Sequence, residues 1–93
     1  MRFFSLTLLL ALVVAPLLAE KQVTDDMIYD QVRLKLANDA EVGGMPITVD
    51  VREGAVTLKG KVRTDRQKSR AEKLAKKVKG VASVANQLVI SPD

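Results

Sequence analysis

Between Ile47 and Val62 the chain alternates apolar and polar side chains on either side of a Glu53-Gly54 step, and no other feature of the sequence constrains the fold as tightly. Ile47, Val49 and Val51 alternate with Thr48, Asp50 and Arg52, and Val56, Leu58 and Val62 continue the alternation beyond the step. A period of two belongs to a half-buried strand, because successive side chains of an extended chain point to opposite faces. A two-residue connection sets Val51 opposite Val56, Val49 opposite Leu58 and Ile47 opposite Gly60, which collects every apolar side chain on one face. Glu53 is a poor residue for positive φ, so two turns remain open: type I′, or type II with Gly54 alone in the left-handed region.

A hairpin with one apolar face needs a cover, and the flanking segments supply it. Thr24 is a good N-cap, Asp25 and Asp26 follow in the first turn, and Ile28, Val32 and Leu36 recur at spacings of four. This predicts a helix over 24–38 with one apolar stripe, ended by Asn38-Asp39, Gly43-Gly44 and Pro46. Thr64 and Gln67 form a capping box for a second helix whose buried stripe is Ala71, Leu74, Ala75 and Val78, with Gly80 placed to terminate it. Val81 to Ile90 reads as a last strand with Val84, Leu88 and Ile90 in phase. The expected architecture is α+β in the order αββαβ: a three-stranded sheet with two helices packed on one face, and Thr48, Asp50, Arg52, Thr57, Lys59 and Lys61 facing water on the other. Ile28, Val32, Leu36, Val49, Val51, Val56, Leu58, Leu74, Val78 and Leu88 are expected to form one buried cluster.

The first nineteen residues read differently. Met1-Arg2 is a short positive start, Phe3 to Val14 is almost unbroken apolar sequence, and Ala15-Pro-Leu-Leu-Ala19 precedes the polar Glu20-Lys21. That is the order of a secretory signal peptide cleaved after Ala19; a spanning anchor needs roughly 20 apolar residues, and this run is shorter and broken by Pro16. The expected division is a signal peptide at 1–19 and a single exported domain at 20–93.

The segment from Glu20 onward has neither histidine nor cysteine, and Tyr29 is its one aromatic residue. It must be stabilised by an aliphatic core without disulfides, near the lower size limit at which such a core suffices. The same composition excludes whole classes of function. Ser69, Ser83 and Ser91 have no histidine to activate them and no Gly-x-Ser-x-Gly turn, so no catalytic residue is assigned. Asp25, Asp26 and Asp30 are explained by helix capping and an Asp30–Arg33 pair at i+3, and a metal site would recruit histidine or cysteine. No metal, cofactor or small-molecule substrate is expected. Nucleic acid is also set aside, because the chain has no Gly-x-x-Gly clamp and no aromatic side chains on its strands to stack bases.

The ordered set of Ile28/Val32/Leu36, Gly54-Ala55-Val56-Thr57-Leu58-Lys59-Gly60-Lys61-Val62 and Gly80-Val81, Val84, Asn86, Leu88 resembles a BON domain, a bacterial module of osmotically induced periplasmic and related envelope proteins. The resemblance covers essentially all of 20–93. It implies an αββαβ fold, a periplasmic address and attachment to phospholipid or envelope surfaces. Family members often carry two such domains and sometimes a lipidated cysteine, whereas this sequence contains one such stretch and no cysteine.

Charge suggests where attachment would occur. Glu20 to Leu58 carries eight acids and four bases, but Lys59 to Asp93 carries ten bases and three acids. Arg66, Arg70, Lys73 and Lys77 fall at i, i+4, i+7 and i+11 on one stripe of the second helix, thickened by Lys68, Lys76 and Lys79, with Asp65 and Glu72 the acids nearby in sequence. Such a stripe is either a surface that docks on anionic headgroups or a solvated helix face. The expected partner is an anionic membrane surface, or alternatively an envelope protein met through a sheet edge or the polar sheet face. Arg70 and Lys73 are both expected on the solvent side, so that reversing their charge should leave folding nearly intact.

Overall fold

The computed structural model describes residues 23–92, so the signal peptide expected at 1–19 lies outside the described residues. Five elements follow in the expected order: α1 (Asp25–Ala37), β1 (Ile47–Arg52), β2 (Ala55–Val62), α2 (Asp65–Lys76) and β3 (Ser83–Ile90). They form a three-stranded mixed sheet in the order β1-β2-β3, with β1 antiparallel and β3 parallel to the central β2. The parallel step is the β2-α2-β3 crossover, which brings α2 back over the sheet.

Hairpin register is as the alternation requires, with Ile47, Val49 and Val51 opposite Gly60, Leu58 and Val56. At the turn, Glu53 has φ 49° and Gly54 φ 82°, so both central residues are left-handed and the turn is type I′. A glutamate tolerates this because the turn is held from outside. The Asp25 carboxylate accepts from the N–H of Glu53 at 2.7 Å and of Gly54 at 3.0 Å. Gly60, at φ 125°, is required for a second reason: a Cβ there would run into the carbonyl oxygen of Pro46.

Both helix starts are capped as expected. Thr24 Oγ1 accepts from the Met27 N–H and Thr64 Oγ1 from the Gln67 N–H, at 3.3 and 3.1 Å. Gln67 Oε1 then accepts from the N–H of Arg63, one residue before the cap, rather than from Thr64 itself. The far end of α2 departs from expectation. The helix stops at Lys76, so Lys77 is its C-cap, and Val78 and Gly80 lie beyond it. The N–H groups of Lys77 and Val78 bond three residues back, to Leu74 and Ala75, which tightens the last turn and closes the helix before Gly80 is reached.

The core comprises Ile28, Val32 and Leu36 of α1, Val56, Leu58 and Val62 of β2, Ala71, Leu74 and Ala75 of α2, Val78, Leu88 and Val42. Every buried strand residue projects to the helical side, while Thr48, Asp50, Arg52, Lys59 and Lys61 are exposed on the other and Thr57 half-buried. Two expectations need correction. Val49 and Val51 are only half-buried, because β1 is an edge strand and has a neighbour on one side only. Val42, read as part of a plain loop, is buried. Its N–H and that of Glu41 bond the Asp39 carboxylate at 3.3 and 3.0 Å, and this local turn directs the valine inward. Ile90 is in phase with Leu88 yet 39% exposed at the last rung of the other edge.

Candidate functional site

The basic stripe is built on α2 by helical spacing alone, but the loop joining α1 to β1 decides what each cation does. Asp39 and Glu41 sit on that loop and reach α2. Arg70 donates through Nε at 3.0 Å and Nη2 at 2.7 Å to Asp39 Oδ1, whose other oxygen holds the Val42 turn. The Asp39 side chain is 8% exposed and that of Arg70 38%. The hydrogen bond from Arg70, joined by the N–H groups of Glu41 and Val42, holds the Asp39 carboxyl below the usual carboxylate range against the opposing effect of desolvation. Arg70 is therefore a brace between helix and loop, and the expectation that it is a free solvent-facing charge is corrected.

Arg66 Nε donates to Glu41 Oε2 at 2.8 Å, with the arginine 82% exposed, and Gln67 Nε2 donates to the Glu41 carbonyl at 2.9 Å. Lys76 pairs with Glu72 at 2.9 Å. That pair is the first cause, and an Asn86 hydrogen bond the second, of a Glu72 carboxyl held below its ordinary value. The tertiary structure thus neutralises half of the four-residue stripe with two acids distant in sequence. Lys73 and Lys77 have no ion-pair partner among the described residues, and the same holds for Lys35 and Lys79.

These free lysines are not all in one place. Arg66, Arg70 and Lys73 surround a shallow cup of about 210 Å³ with Glu41 and Ser69. Lys77 lies apart from them, in an open groove of about 330 Å³ between the two helices, where Lys35 and Lys79 join it beside Val23, Met27 and Val78. Met27 is 50% exposed there, and Leu34 53% exposed elsewhere on α1. This combination of cations around the exposed Met27 suits a surface that is anionic outside and apolar beneath. Lys35 and Met27 were not singled out by sequence reading. The signal for them was the position of both on the α1 flank outside the Ile28/Val32/Leu36 stripe.

The acidic trio separates. Asp25 is committed to the turn, and Arg33, expected to pair with Asp30, instead donates to the Tyr29 hydroxyl at 2.9 Å. Among the described residues no group of acidic side chains is arranged to hold a metal ion. None of the described helices is long and apolar enough to cross a membrane.

The family model for the BON domain matches residues 24–92, from the N-cap of α1 to the end of the described chain. Osmotically-inducible protein Y of Escherichia coli (strain K12) is 38% identical over 64 residues, which cover 69% of this chain but 32% of that relative. The chain therefore corresponds to about a third of the relative's length.

Proposed function

Because the chain belongs to the BON domain family, we propose that it is a non-enzymatic binding module of the periplasmic envelope that attaches peripherally to anionic phospholipid surfaces, in a setting of osmotic or envelope stress. The observation that carries this reading is the groove between the helices, where Lys35, Lys77 and Lys79 stand unpaired around Val23 and Met27. Lysines close to an anionic bilayer contribute about 1 kcal/mol each, and an apolar side chain among them can enter the headgroup boundary. Lys73 extends the positive surface toward the cup, whereas Arg66 and Arg70 are largely spoken for by Glu41 and Asp39. The osmotic setting follows the name of the Escherichia coli relative.

Vesicle co-sedimentation tests the reading. The purified chain is expected to sediment with vesicles containing phosphatidylglycerol, to stay in solution with pure phosphatidylcholine, and to be released as salt is raised. A Lys77→Glu/Lys79→Glu variant should keep the parent's far-ultraviolet circular dichroism and lose most of the bound fraction, while Lys59→Glu on the opposite sheet face should bind like the parent. Equal binding to both vesicle types, or none, overturns the proposal, and cross-linking of intact cells to one dominant protein would then favour an envelope adaptor.

A further inference from the structure

The two edges of the sheet are not alike. β1 carries Asp50 and Arg52, paired at 3.6 Å, and charges on an edge discourage a further strand from adding to it. β3 runs for eight residues, Ser-Val-Ala-Asn-Gln-Leu-Val-Ile, without a charge, a proline or a glycine. Along it every second N–H and C=O points away from β2; the outward N–H of Leu88 is held by Asn86 Oδ1 of its own strand at 3.2 Å and would exchange that bond for one to an added strand, and Val89 is 58% exposed on the open face. An uncharged, regular edge of this length is a template for another strand.

The flank of α2 that overhangs β3 indicates which strand. Asn86, in the middle of β3, donates through Nδ2 to the Lys68 carbonyl at 2.8 Å and to Glu72 Oε1 at 3.2 Å. The centre of β3 therefore lies under the part of α2 near residue 70. Along that flank Asp65, Lys68, Glu72 and Lys76 follow at spacings of three and four, alternating in sign. A twofold axis normal to the sheet, standing just outside the edge at the centre of β3, also passes beside the centre of this row. It sets Asp65 toward Lys76 of a second copy and Lys68 toward Glu72, so each acid meets a base. On the open face the same axis, passing at Gln87, sets Gln87 opposite Gln87 and Ala85 opposite Val89.

We infer that β3 is a self-pairing edge: two copies of this chain join β3 to β3 antiparallel, making a continuous six-stranded sheet, with the charge row of α2 self-complementary across the axis. Rotation about an axis normal to the sheet keeps both helical layers on the same side. The dimer thereby presents two lysine-lined grooves to one surface, which raises avidity without any new contact to it. The pairing does not depend on what the grooves bind.

Sedimentation equilibrium of the purified chain over a wide concentration range, without lipid, reads the dimer directly. Gln87→Lys places like charges opposite each other and is expected to weaken dimerisation about tenfold or more while leaving circular dichroism and the thermal midpoint at low concentration unchanged. Lys76→Asp alone should also weaken the dimer, and Asp65→Lys added to it should restore parent affinity, a rescue that damage to one helix would not produce. A parent that stays monomeric at every concentration overturns the inference, as does a dimer that persists at parent strength in Gln87→Lys. A monomer whose β3 amides gain hydrogen-exchange protection only when another protein is added overturns it too, by assigning the edge to a different partner.

Discussion

Single residues differ greatly in how much of the structure rests on them. Leu58 is 0% exposed at the centre of β2, flanked by strands on both sides and inside the core cluster, so its neighbours have little freedom to collapse into a void. Leu58→Ala is expected to cost about 2–5 kcal/mol, a large share of the stability of so small a domain, read as a shifted urea midpoint. Asp39 matters electrostatically. Its carboxyl is held below the ordinary value near 3.8, first by Arg70, and Glu72 is likewise held below its own, near 4.5. A carboxyl whose pKa is lowered on folding contributes stability that is fully present above the unfolded pKa and is lost as pH falls through the folded one. The thermal midpoint should therefore be level near neutrality and drop below about pH 4. Asp39→Asn should lower the neutral plateau and shrink that drop, and a drop of parent size in Asp39→Asn would show that the brace contributes nothing.

At the scale of elements, the hairpin is where local preference and tertiary demand disagree. A type I′ turn asks for left-handed residues at both centres, and Glu53 accepts a conformation that costs a non-glycine residue about 1 kcal/mol or more. The compensation comes from α1, whose first residue, Asp25, accepts both turn N–H groups. Replacing Glu53 by Asn, which tolerates the left-handed region better, should raise the thermal midpoint by a few degrees without altering the Asp25 bonds, which use backbone donors. An unchanged or lower midpoint in Glu53→Asn would mean that the glutamate side chain has a stabilising role the backbone geometry does not reveal. The helices behave more simply, since Thr24 and Thr64 cap them and the apolar stripes dock them.

At the scale of the whole molecule, the helical layer and the sheet edges divide the work. The helices bury the core with one side and expose lysines and Met27 on the other, and the two sheet edges differ in charge. If the grooves bind anionic surface and β3 pairs with itself, vesicle affinity should rise more steeply than linearly with protein concentration around the dimer dissociation constant, and Gln87→Lys should bind with a linear dependence and lower avidity. Linear binding by the parent would separate the two proposals, leaving lipid attachment as a property of the monomer.

Backbone-level features were legible along the chain because they depend on neighbours in sequence: the period of two from Ile47 to Val62, the threonine caps, the αββαβ order and the hairpin register all follow from local periodicity and turn length. The burial of Val42, the half-burial of Val49, the exposure of Ile90 and the early end of α2 were not legible. Val49 and Ile90 depend on which strands lie at the sheet edges, whereas Val42 and the end of α2 depend on single hydrogen bonds, to the Asp39 carboxylate and three residues back in the last helical turn, that apolar periodicity does not encode. The same holds for the basic stripe. Spacing put Arg66, Arg70, Lys73 and Lys77 on one side of α2, but Asp39 and Glu41, about thirty residues earlier in the chain, removed two of them from service and left the lysines as the free charge. Local pattern sets elements because backbone geometry is short-ranged in sequence, whereas which charges remain available is decided only when the fold brings distant acids within hydrogen-bonding reach.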